Sequence, residues 1–147
     1  MNLIEKQLQK IKQAKRLGLM THAVVGYPSL EDTRQIVKLM AKEGVDFIEL
    51  QIPFSDPLGD GPVIRTANTA ALGSGIKVAD AFKLAKELAS ELKIPLLFMT
   101  YLNIAYAYGL KKFCEDARAA GLSGFIIPDY NPTLESKEHF GKFAKEN

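Results

Sequence analysis

The chain has 147 residues and 16.2 kDa, 47% hydrophobic and 24% charged, which is the composition of an ordinary globular domain and excludes a disordered or fibrous chain. Its 19 Lys and Arg against 17 Asp and Glu leave a net charge of +2, too even a balance to point to nucleic acid or an anionic membrane as partner. One cysteine (Cys114) and two scattered histidines (His22, His139) exclude an intrachain disulfide and give no metal-ligand spacing, and no apolar run approaches the ~18 residues of a membrane span.

The first residues have no uninterrupted apolar core of the secretory kind, so the expected location is the reducing cytoplasm. Leu3, Ile4, Leu8 and Ile11 predict a helix over residues 2–16, with Lys6, Lys10, Lys12, Lys15 and Arg16 on its solvated side. Residues 19–25 read as a strand. Ser29 is placed to cap a helix carrying Thr33, Ile36, Val37 and Met40, and Gly44 stands where a helix-terminating glycine belongs. A second strand over 45–50 leads into a loop rich in proline and glycine. Helices follow over 62–71 and 78–92, then a strand over 94–99, a helix from Leu110 that ends before Gly121, and a strand over 123–127. The near-continuous apolar character of the strands suits a parallel sheet covered by helices.

The order is therefore α(βα)(βαα)(βα)(βα). Gly26-Tyr27-Pro28-Ser29 is not a G-x-G-x-x-G phosphate turn, and Gly73-Ser74-Gly75 follows a helix rather than a strand. The expected fold is a (β/α)8 barrel of the TIM type, represented by its first four βα units and an N-terminal helix, as one incomplete domain over residues 1–147.

In such barrels the reacting groups project from the C-terminal ends of the strands. Three carboxylates fall there: Glu49 at the end of the second strand, Asp60 in the following loop, and Asp129 after the fourth. Alternation puts Phe47 and Glu49 on one face and Ile48 and Leu50 on the other. If the Phe47 face is the barrel interior, burial lifts the Glu49 carboxyl toward the range where it moves protons near neutral pH. The plainer alternative is a strand-end Glu paired with a helix cation. Pro53, Pro57 and Pro62 stiffen the loop, and Pro62 suits the first turn of the next helix. Asp60 then either caps that helix, worth about 0.5–1 kcal/mol, or is returned over the strand end as a second acid.

The stretch Ile48-Glu49-Leu50-Gln51-Ile52-Pro53-Phe54-Ser55-Asp56-Pro57-Leu58-Gly59-Asp60-Gly61-Pro62-Val63-Ile64 resembles the signature of the tryptophan synthase alpha chains. Gly26-Tyr27-Pro28, Met99-Thr100-Tyr101-Leu102-Asn103, Tyr108-Gly109 (opening the next helix) and Ile127-Pro128-Asp129 match in register, so the likeness covers essentially the whole chain. The resemblance implies a lyase that splits indole-3-glycerol phosphate into indole and glyceraldehyde 3-phosphate by a retro-aldol step. Glu49 would be the general acid/base, and Asp60 would accept the indole N–H and stabilise positive charge on the ring. Tyr101 and His22 match positions near the indole pocket. The loop with Pro53, Asp56 and Pro57 would meet the tryptophan synthase beta chain in an alpha-beta-beta-alpha assembly. No metal or organic cofactor is implied, since pyridoxal phosphate belongs to the beta chain. His22, Gln51, Gly59 and Asn131 depart from the residues usual in the family. Gly59 loosens the loop beside Asp60, and Gln51 adds a side chain that could tune Glu49.

A complete barrel of this type takes ~250 residues. The family holds the substrate phosphate on loops beyond the fourth βα unit, so the 147 residues alone are expected to be weakly stable or self-associating and inactive. The alternative reading is a non-catalytic alpha-chain-like module that binds the beta chain.

Overall fold

A computed structural model describes residues 2–131, 133 and 139–147. Four short strands pair side by side in chain order and all run parallel: β1 (Met20–Val24), β2 (Phe47–Gln51), β3 (Leu96–Met99) and β4 (Gly124–Ile126). Helices occupy every connection and both ends. They are α1 (Leu3–Gln13), α2 (Leu30–Lys42), α3 (Pro62–Gly73), α4 (Val78–Glu91), α5 (Leu102–Tyr108), α6 (Leu110–Ala119) and α7 (Phe140–Glu146).

Local chemistry accounts for most of the boundaries. The Ser29 hydroxyl accepts from the Asp32 amide at 3.0 Å, which starts α2. Beyond the C-terminal end of α2, Gly44 takes φ +87, a left-handed conformation that costs glycine little. Pro62 opens α3 in its first turn, and Gly73-Ser74-Gly75 forms a plain connection to α4.

One face of the sheet carries the core. Ile48, Leu50, Leu96 and Phe98 are fully buried against Val37, Ala81, Leu84, Leu88 and Phe113 of the covering helices. Phe82, Phe98 and Phe113 meet edge to face or tilted at 5.1–6.3 Å between ring centres. The opposite face carries Phe47, Glu49 and Gln51 of β2, so the parity read from the sequence holds. The register sets His22 beside Glu49 and Val24 beside Gln51, with Leu97 and Met99 on the far side.

At the N-terminal end of the strands, Asp46 is buried and fully partnered. Arg16 donates to both carboxylate oxygens at 2.7 and 2.6 Å, Gln7 donates at 2.7 Å and the Leu19 amide at 2.9 Å. The Arg16 guanidinium and these hydrogen bonds hold the Asp46 carboxyl far below the ordinary carboxylate range. This cluster ties α1 to the start of β2.

The helix expected from Leu110 opens there with Gly109 (φ +94) at its cap position, and the structure adds a helix that the sequence reading lacked, α5, which ends at Tyr108. The group that satisfies the first amide of α5 is the Asp129 carboxylate, which accepts from the Leu102 N–H at 2.9 Å. A cap supplied from 27 residues away leaves no mark on the local pattern. The real order is α(βα)(βαα)(βαα)(βα). The first helix also ends at Gln13 rather than 16, and Lys15 takes φ +49.

Candidate active site at the strand ends

The C-terminal ends of β1, β2 and β3 and the loop after β2 bring together His22, Glu49, Gln51, Asp60 and Tyr101. Glu49 is partly buried on the sheet face opposite the helices. Burial raises its carboxyl above the ordinary value; His22 opposes the rise and the Asp60 charge adds to it. No ion pair joins Glu49 to a lysine or arginine among the described residues. The plain alternative of a strand-end salt bridge therefore does not hold there.

Asp60 is not used as a helix cap. The cap position of α3 is Gly61, with no side-chain hydrogen bond, and Asp60 Oδ2 accepts from Gln51 Nε2 at 2.7 Å. Gln51 is completely buried, and its Oε1 lies 2.7 Å from His22 Nε2. Gln51 thus hydrogen-bonds Asp60 and His22, rather than Glu49 as its place in the strand suggested.

The loop is held from three sides. The Phe54 amide donates to Asn68 Oδ1 at 2.9 Å, and Asn68, fully buried on α3, donates in turn to the Ile64 carbonyl. The Phe54 ring stacks on Tyr101 with centres 5.1 Å apart. The Gly59 amide donates to the Tyr101 hydroxyl at 3.0 Å. Tyr101 is only 4% exposed, and burial, with Asp60 and Asp129 nearby, raises its hydroxyl above the ordinary value. Asn68 was not singled out from the sequence. An asparagine in a helical pattern is unremarkable until its partner on the loop is known.

Pro53 and Pro57 are buried and stiffen the loop from within, whereas Asp56 is exposed and Leu58 is 94% exposed. A groove of about 310 Å³ runs between Phe54, Leu58, Tyr101, Asn103 and Asp129. A second, of about 230 Å³, lies between His22, Val24, Thr33, Ile36 and Ile64. Glu49 is not among the residues that line these two grooves. Asp129 is committed to the start of α5. The Asn131 side-chain oxygen accepts from the Thr133 amide and hydroxyl at 3.0 and 2.7 Å. Among the described residues no three His, Cys, Asp or Glu side chains are gathered as a metal site, and no helix is long and apolar enough to cross a membrane.

Chemically, the arrangement offers one carboxyl raised by burial beside a second held by an amide donor. Such a pair can deliver a proton at one point and offset positive charge at another.

The family model for the tryptophan synthase alpha chain matches residues 8–147. The chain belongs to the tryptophan synthase alpha chain family. The alpha chain of Desulfotalea psychrophila is 46% identical over 143 residues, which are 97% of this chain and 56% of that relative. The alpha chain of Syntrophotalea carbinolica is 45% identical over 130 residues, 88% of this chain and 51% of its own length. Among solved structures, tryptophan synthase subunit alpha from Legionella pneumophila superposes with a TM-score of 0.94 at 32% identity, over 99% of this chain and 55% of that one. The aminoacrylate-bound tryptophan synthase of M. tuberculosis superposes with a TM-score of 0.92 at 29% identity, over 99% of this chain and 58% of that one. The chain thus spans about half the length of the alpha chains it matches. Its four-stranded parallel sheet is the matching portion of a TIM barrel.

Proposed function

We propose that the chain carries the proton-handling part of a lyase in tryptophan biosynthesis that cleaves indole-3-glycerol phosphate to indole and glyceraldehyde 3-phosphate. The observation that carries this reading is the partly buried Glu49, raised by its surroundings and facing an Asp60 held by Gln51.

In this mechanism the protonated Glu49 gives its proton to the indole carbon that bears the glycerol chain. The ring becomes cationic, and the Asp60 carboxylate accepts the indole N–H and stabilises the charge as it develops. The Glu49 carboxylate then removes the proton of the adjacent glycerol hydroxyl. The carbon–carbon bond breaks, its electron pair restores the aromatic ring and the hydroxyl carbon becomes the aldehyde. One proton is given and one recovered, so Glu49 ends as it began. Tyr101 borders the ring, His22 acts on the site through Gln51, and no step requires a metal or an organic cofactor. A cytoplasmic location suits such a biosynthetic enzyme.

A second role is compatible with the first. Leu58 is an apolar side chain almost fully in solvent beside the exposed Asp56, on a loop whose prolines are buried. We assign this outer loop face, rather than Pro53 or Pro57, to contact with the tryptophan synthase beta chain in an alpha-beta-beta-alpha assembly.

The test is chromatographic. The full polypeptide carrying residues 1–147 is mixed with indole-3-glycerol phosphate, with and without the beta chain. Indole and glyceraldehyde 3-phosphate in equal amounts are expected. Tight beta-chain binding without either product would leave only the interaction role.

A further inference from the structure

Three side chains form a one-way hydrogen-bonded chain across the strand ends. The Gln51 amide is buried between His22 Nε2 and Asp60 Oδ2, 2.7 Å from each. A carboxylate only accepts hydrogen bonds, so the amide nitrogen faces Asp60 and the amide oxygen faces His22. An amide oxygen also only accepts, so His22 carries a proton on Nε2. Each member therefore sets the orientation of the next: ring, amide, carboxylate.

The same loop has one backbone anchor beside Asp60. Gly59 brings its amide against the Tyr101 hydroxyl, and a Cβ there would lie 3.2 Å from that oxygen. Glycine permits the approach but leaves the backbone next to Asp60 freer than any other residue would. The side chain of Asp60 needs a second anchor, and Gln51 supplies it from the rigid end of β2.

We propose that Gln51 is the positioning residue for Asp60, itself oriented by His22, and that this relay adds to the loop's own anchors by setting the angle at which the Asp60 carboxylate meets the indole ring. The inference rests on the reading of Asp60 as the group that stabilises the cationic ring. Because that charge exists only as the reaction proceeds, misplacing Asp60 lowers kcat more than it raises KM.

The experiment uses the full polypeptide with Gln51→Met, which keeps the length and removes both hydrogen bonds. A second variant, His22→Phe, leaves Gln51 in place and removes only its orienting partner. Gln51→Met is expected to lower kcat about 10- to 100-fold with KM within about twofold, the scale of a small misplacement of a reacting group. His22→Phe is expected to give a smaller loss. The double variant should be no worse than Gln51→Met alone, because the His22 contribution passes through Gln51. Without any substrate, backbone amide order parameters over residues 58–60 should fall in both single variants while those of β2 stay high. This readout needs no catalysis, so it separates the inference from the proposed reaction: loss of the reaction in the parent protein would not alter it. A wild-type kcat in both variants, strictly additive losses, or unchanged order parameters over residues 58–60 would each overturn the proposal.

Discussion

Glu49 lies on β2 and Asp46 just before it, and their surroundings drive the two carboxyls in opposite directions. Asp46 has a guanidinium, an amide side chain and a backbone N–H on its carboxylate, whereas Glu49 has burial and a neighbouring Asp60 against only His22. For Glu49 the folded value lies above the unfolded one, so folding is favoured most at low pH and that favour is lost as pH rises through the raised value. Glu49→Gln, neutral at every pH, is therefore expected to raise the melting temperature by a few degrees at pH 8 and to change it little near pH 4. Thermal melts across that range check this. For Asp46 the folded value is depressed, so its contribution is present above the unfolded value and fades as pH falls toward it and below. Asp46→Ala strands the buried Gln7 amide and the Leu19 backbone N–H and should cost about 2–3 kcal/mol in urea melts at pH 7. Cys114 is buried with its thiol pushed up to about 11, and its expected reaction with a thiol reagent at pH 8 is negligible until the chain unfolds.

At the scale of elements, the site depends on anchors that come from distant parts of the chain. Asn68 fixes the loop at Phe54, Tyr101 fixes it at Gly59, and Gln51 fixes the side chain of Asp60. Asp129 starts α5 from beyond β4. Asp129→Ala should fray α5 and cost about 1 kcal/mol, measured by denaturant melts, with the Leu102 amide losing its protection in hydrogen exchange. The helices that carry an amphipathic stripe and a local cap were legible from residue order alone, as Ser29, Gly44 and Pro62 show. α5 was not, because seven residues carry too little periodicity and its N-terminal acceptor lies in another βα unit. For the same reason the sequence placed Gln51 beside Glu49 but could not show its two partners, one on β1 and one at the loop tip.

At the scale of the molecule, the parallel sheet is what makes the site possible. Its register aligns His22 with Glu49, and its alternation buries Ile48 and Leu50 under the helices while turning Glu49 and Gln51 to the other face. That parity was readable in the strand, and so was the barrel type, from the βα rhythm. The ion pairs between α2 and α4, Arg34 with Glu87 and Lys38 with Glu91, are partly open to solvent and contribute little by comparison with the aromatic and aliphatic core beneath them. The central claim is that Glu49 both gives and recovers the proton. It is tested most directly by single-turnover cleavage of indole-3-glycerol phosphate at pH 7.5, comparing the full polypeptide with its Glu49→Gln variant. The account predicts a rate at least about 1,000-fold lower in the variant, with substrate binding retained, as expected when one group serves both proton transfers. A variant rate within about tenfold of the parent would contradict it.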